Sequence, residues 1–204
     1  MSCKVVRKLD PDEKVGLLAQ RDGDTTVVEY TELDDEHRNA RSTDGQLVYW
    51  AGNIAVHCFN VGFLAELAEQ VDRRLPYHAS AKKIPTVDAA GNTIAPETPN
   101  GHKLERFVFD ALPAARRVAT VETLRAEEFS PVKNASGGDS PQTCRRDLNA
   151  LYAQWLREAG IDVPAGAAIE IDHARIDCTE DLAATGIRNV NDADFIQVES
   201  GART

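Results

Sequence analysis

The chain has 204 residues, of which 42% are hydrophobic, and it carries a formal net charge of −10 at pH 7. A chain of this length and composition can bury a sizeable core, and we expect one domain plus a small appendage. The negative charge disfavours non-specific binding to nucleic acid or to anionic membranes. No apolar run approaches the roughly 20 residues that span a bilayer, and the N-terminal segment lacks the apolar core of a signal peptide. We therefore predict a cytoplasmic protein without nucleic-acid or membrane partners.

The first clear element is a β-hairpin. Val15–Gln20 and Thr25–Tyr30 are short β-prone runs, and the Asp-Gly pair between them supplies the positive-φ residues of a tight turn. Gly16 would let a ligand lie against the backbone of one strand, and Glu29 could accept hydrogen bonds from vicinal hydroxyls at the end of the other. The alternative is an edge strand with an exposed carboxylate, and the residues alone favour that alternative.

The apolar run Leu47–Phe59 predicts a central strand with apolar side chains on both faces, as in a covered parallel strand. Gly52 and Asn53 interrupt the run. A glycine inside a strand often marks a bulge or a close backbone approach, and the adjacent amide can both donate and accept hydrogen bonds. These two residues either bind the hydroxyls of a sugar or form a bend in which the amide caps local backbone groups.

Two helices are predicted after this strand. Asn60 can cap the first, whose apolar side chains recur from Phe63 to Val71 and should cover the sheet. The second is an amphipathic helix over Lys103–Leu112. Phe109 falls outside its apolar stripe, so this ring either lines a pocket or packs against a second surface. The alternation in Val118–Leu124 predicts a further strand.

The later part of the chain presents one candidate cation. Lys133 follows a Ser-Pro pair that favours an extended or turning backbone, and a lysine on such a loop can reach a phosphate. Ser140 and the following proline predict a helix N-terminus, and Gly160 ends that helix. The remainder, with a short strand at Ile169–Ile171, indicates a small β-rich segment. We therefore predict domains over 1–160 and 161–204.

The cysteine and histidine spacings indicate no metal centre. The chain contains four cysteines without a CxxC pair and five histidines without HxxxH or HExxH spacing. This distribution fits reduced thiols and argues against structural zinc. Each histidine is by default a surface or packing residue.

Six motifs occur in an order that resembles a known family. They are Val15-Gly16, VVEYTEL, SxDGxLxxxAGNIAxHxF, KKIP, PNGxKxExFVFD and EFSPVKNA. The order and register resemble the eukaryotic-type UDP-sugar pyrophosphorylases, especially those of the UDP-N-acetylglucosamine pyrophosphorylase type. The resemblance extends from about Lys4 to Leu182, and ordered motifs over that length are specific.

The resemblance implies a fold and an activity. The expected fold is α/β: part of a Rossmann-like, GT-A-like nucleotidyltransferase sheet, mixed in strand direction and flanked by helices, with the small C-terminal β-rich segment. The expected reaction couples UTP to a sugar 1-phosphate, such as N-acetylglucosamine 1-phosphate, and releases pyrophosphate.

The resemblance also implies site residues. The family's sugar-binding glycine and glutamate fall on Gly16 and Glu29, and its sugar-binding asparagine falls on Asn53. Its pocket phenylalanines fall on Phe107 and Phe109. A further position, Lys133, matches the lysine that contacts phosphate.

One departure from the family pattern affects the expected activity. The Gly-rich nucleotide loop of LxGGxGTRxG type, which should precede these motifs, is not in the sequence, and neither is the aspartate that holds Mg²⁺. We therefore expect a sugar-binding half that is inactive alone and that could work with a separate N-terminal half. The alternatives are a non-catalytic sugar-nucleotide-binding remnant and a simple interaction module. The sequence does not indicate the oligomeric state.

Overall fold

A computed structural model of the protein describes residues 1–70 and 75–187. The chain forms two compact units, Met1–Thr123 and a second unit that begins at Leu124. The strands of the first unit are β1 (Ser2–Arg7), β2 (Leu17–Arg21), β3 (Asp24–Val28), β4 (Ala51–Cys58), β5 (His78–Lys82), β6 (Thr86–Val87), β7 (Thr93–Ile94), β8 (Gly101–Glu105) and β9 (Ala119–Glu122). Its helices are α1 (Asp35–Asn39), α2 (Val61–Glu69) and a 3₁₀ helix (Val108–Ala114).

The main sheet of the first unit has the strand order β3-β2-β4-β1-β9. Its strands pair antiparallel except for β1 and β9, which are parallel. The mixed direction confirms the sequence prediction. Two further strand pairs, β5 with β8 and β6 with β7, form separate two-stranded ribbons.

The predicted hairpin is confirmed, because β2 and β3 pair antiparallel with Leu17 opposite Val28. The turn residues Asp22 and Gly23 have φ values of 55° and 92°. Two consecutive positive φ values are the geometry of a type I′ turn, whose twist matches that of the flanking strands. The Asp-Gly sequence therefore determines the turn, and the turn sets the register of the hairpin.

The central strand differs from its prediction in direction and burial. β4 runs antiparallel to both β1 and β2, so the expectation of a covered parallel strand is wrong. Val56 is 41% exposed. An apolar run does not specify strand direction, and β4 also contains a bulge at which Ala55 adopts a φ of 60° and the pairing with β1 shifts. A bulge interrupts the period of two on which the sequence argument rests.

Helix α2 begins where the sequence predicts, with the Asn60 side chain accepting a hydrogen bond from the Phe63 N–H at 3.3 Å. None of its residues is buried, however, and Val61 is 80% exposed. Among the described residues, α2 therefore does not cover the sheet in the way that the sequence predicts. The predicted apolar position at Val71 lies outside them.

The helix predicted over Lys103–Leu112 is wrong for its first part. Residues 101–105 form β8, which pairs with β5, and only Val108–Ala114 is helical, as a 3₁₀ helix. Pro113 lies inside that helix, and its missing N–H and rigid ring are incompatible with a continuing α-helical ladder. The apolar residues that suggested one α-helix thus lie partly in an exposed strand and partly in a buried 3₁₀ helix.

The second unit contains α3 (Arg125–Glu128), α4 (Pro141–Glu158) and α5 (Thr179–Ala184). The predicted start of α4 is confirmed: Ser140 and Thr143 form a reciprocal capping box, and Ser140 is fully buried. The predicted end is also confirmed, because Gly160 adopts a φ of 77° one residue beyond the C-cap.

The apolar core of the second unit joins α4 to the segment that follows it. Its buried members are Tyr152, Leu156, Ile161, Ile171, Ile176 and Leu182. A domain boundary after residue 160 would cut this core, whereas the two compact units divide between Thr123 and Leu124. Among the described residues 161–187, α5 is the one regular element, and Ile169–Ile171 forms no strand. The rest of the predicted C-terminal segment lies outside the described residues.

Candidate sugar-binding face

Three of the sequence-predicted site residues form a row across neighbouring strands. Leu17 of β2 is paired with Val28 of β3 and with Gly52 of β4. Continuing this antiparallel register by one residue places Gly16 opposite Glu29 on one side and opposite Asn53 on the other. Directly paired residues of antiparallel strands share one face of a sheet, so the row Glu29–Gly16–Asn53 lies on a single face. We call this the sugar-row face.

Gly16, in the middle of the row, lets the side chains of Val27 and Glu29 come close to its backbone. A Cβ atom on this residue would lie 3.3 Å from Oε1 of Glu29 and 3.1 Å from Cγ1 of Val27. The carboxylate of Glu29 therefore leans over the glycine, and a side chain at residue 16 would displace it. On the other side, the Asn53 N–H donates to the Gly16 carbonyl at 2.8 Å, which fixes β2 against β4.

The two polar atoms of the Asn53 amide differ in their contacts. The residue is only 9% exposed, and Oδ1 accepts a hydrogen bond from the Ala55 N–H at 3.2 Å. This bond caps the bulge of β4, which is the local role that the sequence left open. The structure gives Nδ2 of Asn53 no hydrogen bond to any residue that it describes. The amide can therefore cap the backbone and donate to a ligand at the same time.

The two phenylalanines are adjacent, but they are not equally accessible. Their rings stack with centroids 4.8 Å apart and planes 14° apart. Phe109 is 8% exposed and packs with Cys3, Val27 and Leu112, so it belongs to the core. The structure thus supports the alternative of a second packing surface for this ring. Phe107 is half-buried, and it is the ring that a ligand can contact.

The stacked pair Phe107 and Phe109 lies on the sugar-row face. Val27 and Leu18 pack with the phenylalanines, and they are two residues from Glu29 and Gly16 on their respective strands. Since side chains two apart on a strand share a face, the phenylalanines pack against the face that carries the row. Sequence reasoning did not anticipate this contact, because it connects a 3₁₀ helix to strands about 80 positions earlier in the chain.

Sequence analysis missed one polar residue of this face. His57 is opposite Cys3 in the sheet, with Nδ1 3.4 Å from Sγ, and its ring centroid is 6.4 Å from that of Phe109. Burial lowers the pKa of His57 and raises the pKa of Cys3, so it favours the neutral form of each group. The Nε2 atom of His57 is buried without a hydrogen-bond partner among the described residues. The sequence signal was the position of this histidine on the same strand as Asn53.

Lys133 lies in the second unit, at one end of an exposed loop. Its backbone N–H and that of Asn134 both donate to the Asp139 carbonyl, at 2.7 Å and 2.9 Å. The loop 133–139 is therefore closed by main-chain bonds immediately before Ser140, the N-cap of α4. Upstream, the Ser130 hydroxyl donates to Asp147 of α4 at 2.8 Å. Lys133 is exposed.

The described residues do not fit the Mg²⁺ that the family resemblance implies. Among them, the one group of three potential ligand atoms within 4.8 Å of one another belongs to Asp177, Cys178 and Asp181. Mg²⁺ prefers an octahedron of oxygen ligands, for which a thiol is unsuited. We therefore assign no metal-dependent step to the residues of this chain.

Residues 1–141 match the family described as UTP–glucose-1-phosphate uridylyltransferase. This match covers more than half of the chain. The chain belongs to this family. The mixed α/β fold agrees with that of family members of known structure, which confirms the sequence-based fold class. No helix in the described parts of this family member has both the length and the hydropathy needed to cross a bilayer.

Relatives within the family carry related names. The chain is 45% identical over 159 residues to the human UDP-N-acetylhexosamine pyrophosphorylase-like protein 1, a match that covers 77% of this chain and 31% of that protein. It is 38% identical over 176 residues to the UDP-N-acetylglucosamine pyrophosphorylase of Saccharomyces cerevisiae, covering 84% and 37% of the two chains. The chain thus spans about a third of the length of the curated relatives that it matches.

Two crystal structures resemble the fold. A candidate UDP-N-acetylglucosamine pyrophosphorylase from Entamoeba histolytica is 34% identical, with a TM-score of 0.81 over 96% of this chain and 49% of that chain. The enzyme from Trypanosoma brucei, in complex with an inhibitor, is 30% identical, with a TM-score of 0.63 over 78% and 31% of the two chains.

Proposed function

We propose that this chain is the sugar-binding part of a UTP:sugar-1-phosphate uridylyltransferase of the UDP-N-acetylglucosamine pyrophosphorylase type. The observation that carries the proposal is the row Glu29–Gly16–Asn53, in which a carboxylate and an amide flank a glycine on one face of the sheet. A carboxylate accepts two hydroxyl hydrogen bonds, an amide can donate and accept, and the glycine leaves room for a sugar ring. Family membership supports the same assignment.

In the proposed reaction, a phosphate oxygen of the sugar 1-phosphate attacks the α-phosphorus of UTP in line with the departing pyrophosphate. No covalent intermediate on the protein is required. The contribution of this chain is to position one reactant and to stabilise charge. Glu29 and Asn53 orient the sugar hydroxyls, the ring of Phe107 contacts the apolar part of the ligand, and Lys133 neutralises charge on the transferring phosphates.

The partners of the complete system are part of the proposal. They are UTP, a sugar 1-phosphate such as N-acetylglucosamine 1-phosphate, and an N-terminal part, in the same or in a separate polypeptide, that supplies the nucleotide loop and the ligands of Mg²⁺. A cytoplasmic location would give access to UTP and to sugar phosphates. The whole-protein activity is proposed from relatives of which this chain covers about a third.

Isothermal titration of the purified chain with N-acetylglucosamine 1-phosphate tests the proposal. We expect saturable binding to the wild-type chain and weakened binding to Glu29→Gln and Asn53→Ala. A matched control is Asn92→Ala, which removes an exposed amide that bonds to Asp88. Equal affinity in all four proteins, or absence of binding to the wild type, would contradict the proposal.

A second candidate is a non-catalytic sugar-nucleotide-binding remnant, in which the row Glu29–Gly16–Asn53 binds a ligand without turnover. The two candidates differ in turnover. The purified chain, alone and mixed with an N-terminal half of a relative, would be assayed for pyrophosphate release from UTP and the sugar 1-phosphate. Release only from the mixture supports the split enzyme, whereas binding without release in either sample supports the remnant.

A further inference from the structure

The ring of Phe107 contacts two other rings in the first unit. It stacks on Phe109, with centroids 4.8 Å apart and planes 14° apart. It also contacts the imidazole of His78, with centroids 4.9 Å apart and planes 51° apart. Phe109 is fixed by the core around it. The orientation of Phe107 therefore depends on what holds His78.

His78 is held by a carboxylate from the same turn that carries the phenylalanines. Its Nε2 is 2.8 Å from Oδ2 of Asp110, whose side chain is only 13% exposed. The Asp110 backbone N–H in turn donates to the Phe107 carbonyl at 3.1 Å. These contacts form a closed loop of three residues: Asp110 holds His78, His78 packs on Phe107, and the backbone returns from Phe107 to Asp110.

The same histidine is the first residue of a ribbon strand. His78 begins β5 and is paired with Glu105 of β8, two residues before Phe107. A two-stranded ribbon is marginally stable alone in water, so its base needs an anchor. The bond from His78 to Asp110 anchors the ribbon to the 3₁₀ helix at the point where the accessible phenylalanine emerges.

We propose that His78 and Asp110 form a positioning pair that fixes the ring of Phe107 at the sugar-row face and thereby sets the affinity for the sugar phosphate. This inference rests on the proposed function, because it assigns a role to the ring within that binding site. Neither residue touches the reacting atoms. Their effect on the ligand is transmitted through the orientation of Phe107.

A double-mutant cycle on the full 204-residue chain tests the pair, with N-acetylglucosamine 1-phosphate as the titrated probe. His78→Phe retains a ring against Phe107 but cannot bond to Asp110, and Asp110→Ala removes the acceptor. Each change should raise Kd about fivefold, the factor that corresponds to about 1 kcal/mol for one hydrogen bond. Because both remove the same interaction, the double variant should also show about a fivefold increase instead of the product of the two.

Two further variants separate positioning from general stability. Asp110→Asn keeps an oxygen acceptor for His78, so it should restore affinity to near the wild-type value. His102→Phe is the matched control, because it changes an exposed histidine on the same ribbon, opposite Ala81 of β5. Urea unfolding measured on each variant gives the fraction folded, by which its binding stoichiometry is corrected.

The possible results are distinguishable. A fivefold loss in His78→Phe, non-additivity in the double variant and rescue by Asp110→Asn support the positioning pair. Unchanged affinity in His78→Phe, or full additivity, overturns it while leaving the proposed function standing. Absence of binding by the wild-type chain overturns both proposals. If Asp110→Ala does not fold, the comparison of His78→Phe with Asp110→Asn decides the question by the same criteria.

Discussion

The sugar-row face and the loop 133–139 hold their polar groups by different means. On the face, strand pairing places Gly16 between Glu29 and Asn53, and the asparagine is 9% exposed. In the loop, Lys133 is exposed, and its backbone N–H donates to the Asp139 carbonyl. The first arrangement keeps side chains in place before a ligand arrives. The second fixes the backbone from which an exposed charged side chain extends.

This difference suits the two proposed tasks. Recognition of hydroxyls requires hydrogen-bonding groups at fixed positions, because an unpaired buried group penalises the wrong sugar. Stabilisation of phosphate charge is less directional, since an ammonium is a compact charge on a long stem with three donors. Substitutions on the sugar-row face should therefore change the affinity for the sugar phosphate. Substitutions in the loop 133–139 should change the reaction rate.

The largest expected effect is on rate. In a full-length or reconstituted enzyme, Lys133→Ala should lower kcat by about 10²- to 10³-fold, by analogy with the loss of one preorganised donor to a developing charge. The KM for the sugar phosphate should change much less. Steady-state kinetics measure both. Lys103→Ala, which removes an exposed lysine paired with Glu105, is the control. A proportional change in KM would place Lys133 with the sugar-binding groups and remove the contrast.

Local sequence determined the parts of both regions that depend on neighbouring residues. The Asp-Gly turn of the hairpin and the caps at Asn60 and Ser140 were predicted correctly, because each involves bonds within a few residues. The order of the motifs indicated the family resemblance. That resemblance identified Gly16, Glu29 and Asn53 as candidate site residues without any knowledge of strand register.

The failures of prediction involve contacts between distant segments. Residues 101–105 pair with β5 as a strand, and no helical stripe can reveal a partner that lies 19 to 27 positions away. Phe109 is buried by residues from β1 and β3. The role of His78 needs a carboxylate at Asp110, 32 positions later. In each case tertiary packing decided a question that local propensity left open.

The second prediction tests the close packing of the face. Gly16→Val should abolish measurable binding of N-acetylglucosamine 1-phosphate, because its side chain would collide with Val27 and displace the Glu29 carboxylate. Overpacking at this site should also cost about 1–3 kcal/mol of stability. Titration calorimetry and urea unfolding measure the two effects. Gly16→Ala should be intermediate in both, and wild-type affinity in Gly16→Val would show that the carboxylate has no part in binding.

The third prediction separates the two contacts of Asn53. Asn53→Ala leaves the Ala55 N–H without its acceptor, so the free energy of unfolding should fall by about 1–3 kcal/mol even without ligand. Affinity for the sugar phosphate should fall in the same variant, and a deoxy sugar phosphate should bind both proteins equally weakly if it lacks the hydroxyl that Asn53 contacts. A loss of stability without a loss of affinity would assign Asn53 to the bulge alone.

The smallest expected effect is on the pH dependence of stability, and it contrasts a half-buried histidine of the face with an exposed one. Burial lowers the pKa of His57 below its ordinary value of 6.5, so the unfolded chain binds a proton there before the folded chain does. The contribution of neutral His57 to folding stability is therefore complete above pH 6.5, and it is lost as the pH falls toward the lowered pKa. For His37 the hydrogen bond to Asp34 raises the pKa, so its contribution is present below pH 6.5 and is lost as the pH rises through the raised value.

Urea midpoints measured in half-unit steps from pH 5 to pH 8 would detect these opposite slopes. His57→Asn should reduce the loss of stability on the acid side of this range, because the group that resists protonation in the fold is gone. His37→Asn should reduce the loss on the alkaline side, by less, since the pair with Asp34 is exposed to solvent and screened by salt. If His57→Asn leaves the acid slope unchanged, that imidazole is solvated in the folded protein. The sugar-row face would then be more open to water than the packing of His57 against Cys3 and Phe109 indicates.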